Sequence, residues 1–136
     1  MIGRYKVDPV RLRQIGLTIW VQMEFVPAAG ASSITPIRVG AILDTGSEVS
    51  GLNQKTAERL GNAARTKRTI WTPTNGMREE GALHCKITFE DGASRTLEFS
   101  IIEELEPYEV LIGRDLMSEM KLDANCNTGE WSLSWA

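Results

Sequence analysis

A single histidine, His84, and two cysteines, Cys85 and Cys126, stand in a chain of 136 residues. That scarcity excludes much chemistry. A serine–histidine–aspartate or cysteine–histidine mechanism would have to run through His84 alone. A zinc site would have at most one imidazole, and the cysteines lack Cys-x-x-Cys spacing. His84 and Cys85 are neighbours, and on a strand neighbouring side chains point to opposite faces. The pair therefore reads as one buried thiol and one exposed imidazole, so neither a metal nor another cofactor is expected.

Charge of one sign is also lacking. The formal net charge is −3, and the one basic cluster, Arg65-Thr66-Lys67-Arg68, is short. It reads as a solvated loop rather than a nucleic-acid site, which would present a basic field. No stretch approaches the ~20 apolar residues that cross a bilayer. The opening Met1-Ile2-Gly3-Arg4-Tyr5-Lys6-Val7-Asp8-Pro9 has no apolar run and is not a signal peptide. These absences lead us to expect a soluble, cytoplasmic protein, or the soluble domain of a larger or membrane-tethered precursor.

Hydrophobic residues make up 42 % and charged residues 24 %. The length suits one domain able to bury a core without disulfides. Most of it reads as β-structure. Ile15–Val26 is rich in β-branched and aromatic residues, and Ile34–Leu43 forms a second strand. Its apolar end, Gly40-Ala41-Ile42-Leu43, predicts burial on both faces. Asn53 is an N-cap, Gln54–Leu60 a short helix and Gly61 its C′ residue. Thr69–Thr72 and Gly81–Phe89 bracket Asn75-Gly76, a two-residue hairpin turn. A second hairpin turns at Glu90-Asp91-Gly92 into Ser94–Ile102. Tyr108–Ile112 is another buried strand, and Gly113–Lys121 holds a single short helix. Asn127-Thr128-Gly129 turns into a terminal strand, Trp131–Trp135. Short strands with one or two brief helices predict an all-β, closed-barrel domain.

The chemistry centres on Ile42-Leu43-Asp44-Thr45-Gly46-Ser47. A carboxylate at a strand end, followed by a hydroxyl and a glycine, is presented by a tight turn. Thr45 and Ser47 carry hydroxyls that can orient it. A second apolar strand ends in Val110-Leu111-Ile112-Gly113-Arg114-Asp115.

The ordered set formed by Asp44–Ser47, the Thr72-Pro73-Thr74-Asn75-Gly76-Met77 hairpin and Ile112–Asp115 resembles the retropepsin-like aspartic proteases. The resemblance covers residues 15–135 and leaves residues 1–14 as an N-terminal extension or arm before a domain at 15–136. It implies a retropepsin-like closed barrel with a flap hairpin, active as a C2 homodimer. The chain is far too short for a two-lobed enzyme, so both catalytic carboxylates would be Asp44, one from each subunit. The implied function is an aspartic endopeptidase acting on polypeptides. Catalysis is assigned to Asp44, Thr45 and Gly46, with support from Ser47, Glu48, Arg114 and Asp115.

Thr45 is expected to cross-link the two active-site loops, and Arg114 to form a buried ion pair with Glu48. Thr72, Pro73, Thr74, Asn75, Gly76 and Met77 are the flap. Trp131, Leu133 and Trp135 share one face of the last strand and are expected at the dimer interface. The alternative is a catalytically silent dimeric module of the same fold that binds peptides or proteins.

Overall fold

The structure is a computed structural model that describes residues 1–26, 35–61, 66–72, 76–102 and 108–136. Its elements in order are β1 (Gly3–Lys6), α1 (Pro9–Ile15), β2 (Thr18–Phe25), β3 (Ile37–Leu43), β4 (Gly51–Asn53), α2 (Gln54–Arg59), β5 (Thr66–Thr72), β6 (Gly76–Thr88), β7 (Ser94–Ile102), β8 (Val110–Ile112), α3 (Arg114–Met117), β9 (Met120–Asn125) and β10 (Glu130–Trp135). One sheet runs β2-β3-β8-β4-β7-β6-β5, and a further β2–β6 pairing closes its first six strands into a barrel. The architecture is all-β with brief helices, as the strand pattern predicts.

Alternation builds the barrel interior. Along β2, Ile19, Val21, Met23 and Phe25 are buried, while Thr18, Trp20 and Gln22 face solvent. Leu83, Cys85, Ile87 and Phe99 meet them from β6 and β7. Each such apolar side chain contributes roughly 1.5–3 kcal/mol on burial. His84 is exposed and Cys85 buried, as their adjacency on a strand requires. Burial pushes the Cys85 thiol up to about 12.

Local signals hold well around α2. Asn53 caps it by accepting from the Thr56 N–H at 2.8 Å, and Gly61 sits in the left-handed region at φ 82°. The Asn53 amide also donates to the Tyr108 carbonyl at 2.9 Å, tying the helix start to the approach of β8.

Residues 1–14 are tied to the rest of the chain: β1 pairs with β10, Ile2 is buried, and α1 leads directly into β2. Two expectations are corrected. The strand over residues 40–43 is not buried on both faces. Ala41 is fully buried but Gly40, Ile42 and Leu43 are only partly so, because β3 lies on the barrel wall. Strand β8, held between β3 and β4, is buried at every position, as is β4. Thr66, Lys67 and Arg68 belong to β5 rather than to a loop, since they pair with Ala82, Gly81 and Glu80.

A second sheet, β1-β10-β9, includes a strand that the sequence pattern does not announce, β9. Its inward face is slight: half-buried Met120 and Leu122 alternate with exposed Lys121 and Asp123, and Ala124 and Asn125 are both exposed. Trp135 clamps this sheet to the barrel. Its ring packs edge-on against Phe89 at 5.1 Å, lies under the Arg95 guanidinium at 4.3 Å, and its indole N–H donates to Asp91 at 2.8 Å. No helix among the described residues is long and apolar enough to cross a membrane.

Candidate active site

The topology places Asp44. Strand β8 lies between β3 and β4, parallel to the first and antiparallel to the second. The segment joining β3 to β4 must therefore step over the end of β8, and Asp44 opens that step. Its backbone is held from both flanks. The Leu43 N–H donates to the Leu17 carbonyl at 2.9 Å, and the Asp44 N–H donates to the Ile112 carbonyl at 2.9 Å. Two ladders thus fix the direction in which the carboxylate leaves the barrel.

The turn itself follows from residue type. Asp44 Oδ1 accepts from the Gly46 N–H at 2.9 Å, and the Asp44 carbonyl accepts from the Ser47 N–H at 3.2 Å. A carboxylate two residues before an N–H closes such a turn readily. Gly46 is needed for closeness, because a Cβ there would lie 3.2 Å from Asp44 Oδ1. Asp44 is half-buried, while Thr45 and Gly46 are exposed. Among the described residues, no protein donor reaches Oδ2. One oxygen is oriented and the other is open to water or substrate.

The far side of the step rests on α3. The Arg114 N–H donates to the Ser47 carbonyl at 2.8 Å, and the Asp115 N–H to the Glu48 carbonyl at 3.2 Å. The Arg114 guanidinium donates to the Thr45 carbonyl at 3.2 Å. Ser47 Oγ donates to the Val49 carbonyl at 2.7 Å. Asp115 accepts from the Ser50 N–H at 2.9 Å and the Ser50 hydroxyl at 2.6 Å. A Cβ on Gly113 would overlap the Val49 carbonyl, so glycine is required where β8 passes under the step.

The residues expected from the sequence meet here in part. Asp44, Thr45, Gly46, Ser47, Arg114 and Asp115 are joined by these bonds. Glu48 joins only through its carbonyl: its side chain and Arg114 are both exposed, and they form no ion pair among the described residues. The expected buried Glu48–Arg114 pair is therefore corrected. The guanidinium is taken by the Thr45 carbonyl, which lets it stay hydrated.

Strand β5 pairs with β6 from Thr66↔Ala82 to Thr72↔Gly76, on either side of the segment expected as the flap. Gly76 takes φ 64°, a left-handed conformation that glycine adopts without strain. Met77 is 66 % exposed. Pro73, Thr74 and Asn75 lie outside the described residues.

Trp131, Leu133 and Trp135 do share a face, but it is turned inward. Trp131 is 5 % exposed and Leu133 0 %. Strand β10 is the centre of its sheet, so its apolar face packs within its own chain. Trp131 and Leu133, expected at the dimer interface, are core within their own chain, and Trp135 is the clamp. Sequence reasoning missed Ser50, which is fully buried. A serine set inside the apolar stretch Val49–Leu52 was the available signal. Among the described residues no group of three or more His, Cys, Asp and Glu side chains is placed to hold a metal ion.

No known family model and no curated protein matches this chain. Solved structures do overlap with it. The retroviral protease-like domain of Ddi1 from Leishmania major is 17 % identical, with 87 % of this chain and 93 % of that chain covered at a TM-score of 0.47. The protease of simian foamy virus (mac) is 12 % identical, with 74 % and 92 % covered at 0.41. A protein of unknown function from Legionella pneumophila subsp. pneumophila str. Philadelphia 1 is 19 % identical, with 60 % and 74 % covered at 0.39.

Proposed function

We propose that this chain is one half of an aspartic endopeptidase, a retropepsin-like subunit active as a C2 homodimer. The observation that carries the reading is the Asp44 carboxylate itself. It stands at the rim of a closed barrel, is held by backbone ladders on both flanks, and has one oxygen oriented by Gly46 and one open.

One such carboxylate is half of the chemistry. A two-fold axis beside Thr45 and Gly46 would bring the second Asp44 opposite the first. Two carboxylates that close share a proton, because both ionise together only at high cost. The ionised one takes a proton from a bound water as the oxygen attacks the scissile carbonyl carbon. The protonated one delivers its proton to the carbonyl oxygen, giving a neutral gem-diol. Collapse re-forms the C=O, breaks the C–N bond and transfers a proton to the leaving amine. Two carboxylates and one water complete the balance.

In this reading the exposed Thr45 hydroxyl is free to cross the axis and tie the two loops. Ser47, Arg114 and Asp115 keep the loop rigid. The segment from Thr72 to Met77, with Pro73, Thr74, Asn75 and Gly76, acts as a flap that closes over an extended peptide and excludes water. Glu48, exposed beside the loop, faces substrate backbone rather than a buried partner.

The test is digestion of a peptide library across about pH 4 to 7, where a shared proton is held. Wild type is expected to cleave, and Asp44→Asn to lose at least about a hundredfold in kcat/KM. Activity should fall with dilution in step with dimer loss by sedimentation. Undiminished cleavage by Asp44→Asn removes Asp44 from the mechanism. Peptide binding without cleavage favours the silent binding module.

A further inference from the structure

We infer that Ser50 is a positioning residue for Asp44, acting through a two-sided hydroxyl latch with Asp115 and Gly113; this role rests on the proposed protease reading. Ser50 lies at the end of the Asp44 step, six positions along, and is 0 % exposed. Its hydroxyl does two jobs at once. It donates to Asp115 Oδ1 at 2.6 Å and accepts from the Gly113 N–H at 3.0 Å. Only a group that both donates and accepts can fill that place.

The carboxylate is held on both oxygens. Asp115 Oδ2 accepts from the Ser50 N–H at 2.9 Å, and Oδ1 also accepts from the Leu116 N–H at 2.8 Å. Charge-assisted bonds of this kind are the stronger ones, and these are partly buried. The latch therefore joins the start of β4, the end of β8 and the start of α3 at one point.

That point governs where Asp44 sits. The step from Asp44 to Ser50 has one end on the Ile112 carbonyl and the other on Ser50. Between them, the Ser47 and Glu48 carbonyls rest on the N–H groups of Arg114 and Asp115. If Ser50 releases α3, those two bonds lose their register and the turn that aims the carboxylate can shift. A displacement of about an ångström in a reacting group can cost about a hundredfold in rate. The latch touches no substrate, so its effect falls on turnover more than on binding.

The experiment compares Ser50→Ala, Ser50→Thr and Asp115→Asn with wild type. Amide hydrogen exchange at Arg114 and Asp115 reports the loop directly, and peptide cleavage reports kcat and KM. Ser50→Ala is expected to speed exchange at those two amides at least about tenfold and to lower kcat at least about tenfold, with KM within about twofold. Exchange at Cys85 and Phe99 should stay slow, showing that the barrel is intact. Ser50→Thr keeps the hydroxyl and should restore both readouts. Asp115→Asn should match Ser50→Ala, and it carries the same test if the alanine variant fails to fold.

Unchanged exchange and kcat in a folded Ser50→Ala would overturn the latch. So would a uniform rise in exchange across the barrel, which marks general destabilisation. If wild type shows no Asp44-dependent cleavage, the protease reading fails, and exchange at Arg114 and Asp115 still decides whether the latch exists.

Discussion

The rings of Tyr5 and Trp131 stack with centroids 4.2 Å apart and planes 25° from parallel. They are direct partners in the β1–β10 register, so the first strand of the chain is fastened to the last. The Tyr5 hydroxyl is buried and has no hydrogen-bond partner among the described residues. Stacking and an unsatisfied hydroxyl therefore oppose each other in one side chain.

Separate substitutions should resolve the two effects. Tyr5→Ala removes the stack and is expected to cost about 2–4 kcal/mol in urea unfolding. Tyr5→Phe keeps the stack and removes a buried polar group, so it should be neutral or slightly stabilising. A loss above about 1 kcal/mol in the phenylalanine variant would show that the hydroxyl is satisfied in solution.

Stability should decline in alkali. Burial holds the Cys85 thiol at about 12 against an ordinary 9.0. Burial, then the charges of Glu90 and Asp91, holds the Tyr5 hydroxyl at about 12 against 10.0. Both groups keep their protons longer when folded. Their contribution is complete below the unfolded values, and it is lost as pH rises from about 9 to about 12. Unfolding midpoints should fall steadily over that range, and the Tyr5→Phe profile should be shallower above pH 10. A thiol reagent at pH 8 should label the exposed Cys126 quickly and Cys85 only on unfolding.

Gly113→Ala should be among the most damaging single changes. Its Cβ would overlap the Val49 carbonyl and sit 3.0 Å from the Ser47 carbonyl, both backbone atoms with little freedom to move. A loss above about 2 kcal/mol is expected, with the midpoint of thermal unfolding as the measure. An alanine variant as stable as wild type would show that the β8–α3 junction can open.

Glu48→Gln should leave stability within about 0.5 kcal/mol, because the side chain is exposed and makes no ion pair with Arg114. A larger loss by urea unfolding would mean that the pair forms in solution. If Glu48 meets substrate, as proposed, the variant should change KM rather than folding.

Local pattern was enough to determine the elements whose cause is local. The alternation Ile19, Val21, Met23 places β2 with one face inward. Asn53 and Gly61 bound α2 by capping chemistry. The Asp44-Thr45-Gly46 turn is made by its own carboxylate and amides, and the opposed faces of His84 and Cys85 follow from strand geometry. Barrel closure, the inward turn of Trp131 and Leu133, and the anchoring of residues 1–14 were decided by pairing between distant strands. An apolar stripe looks the same in sequence whether its cover comes from its own chain or from another. The Glu48–Arg114 spacing likewise says nothing of which acceptor the guanidinium meets first. The place of Asp44 needed both levels. Its turn is local, but its exit from the barrel exists only because β8 enters between β3 and β4, where Ser50, Gly113 and Asp115 lock the step that carries it.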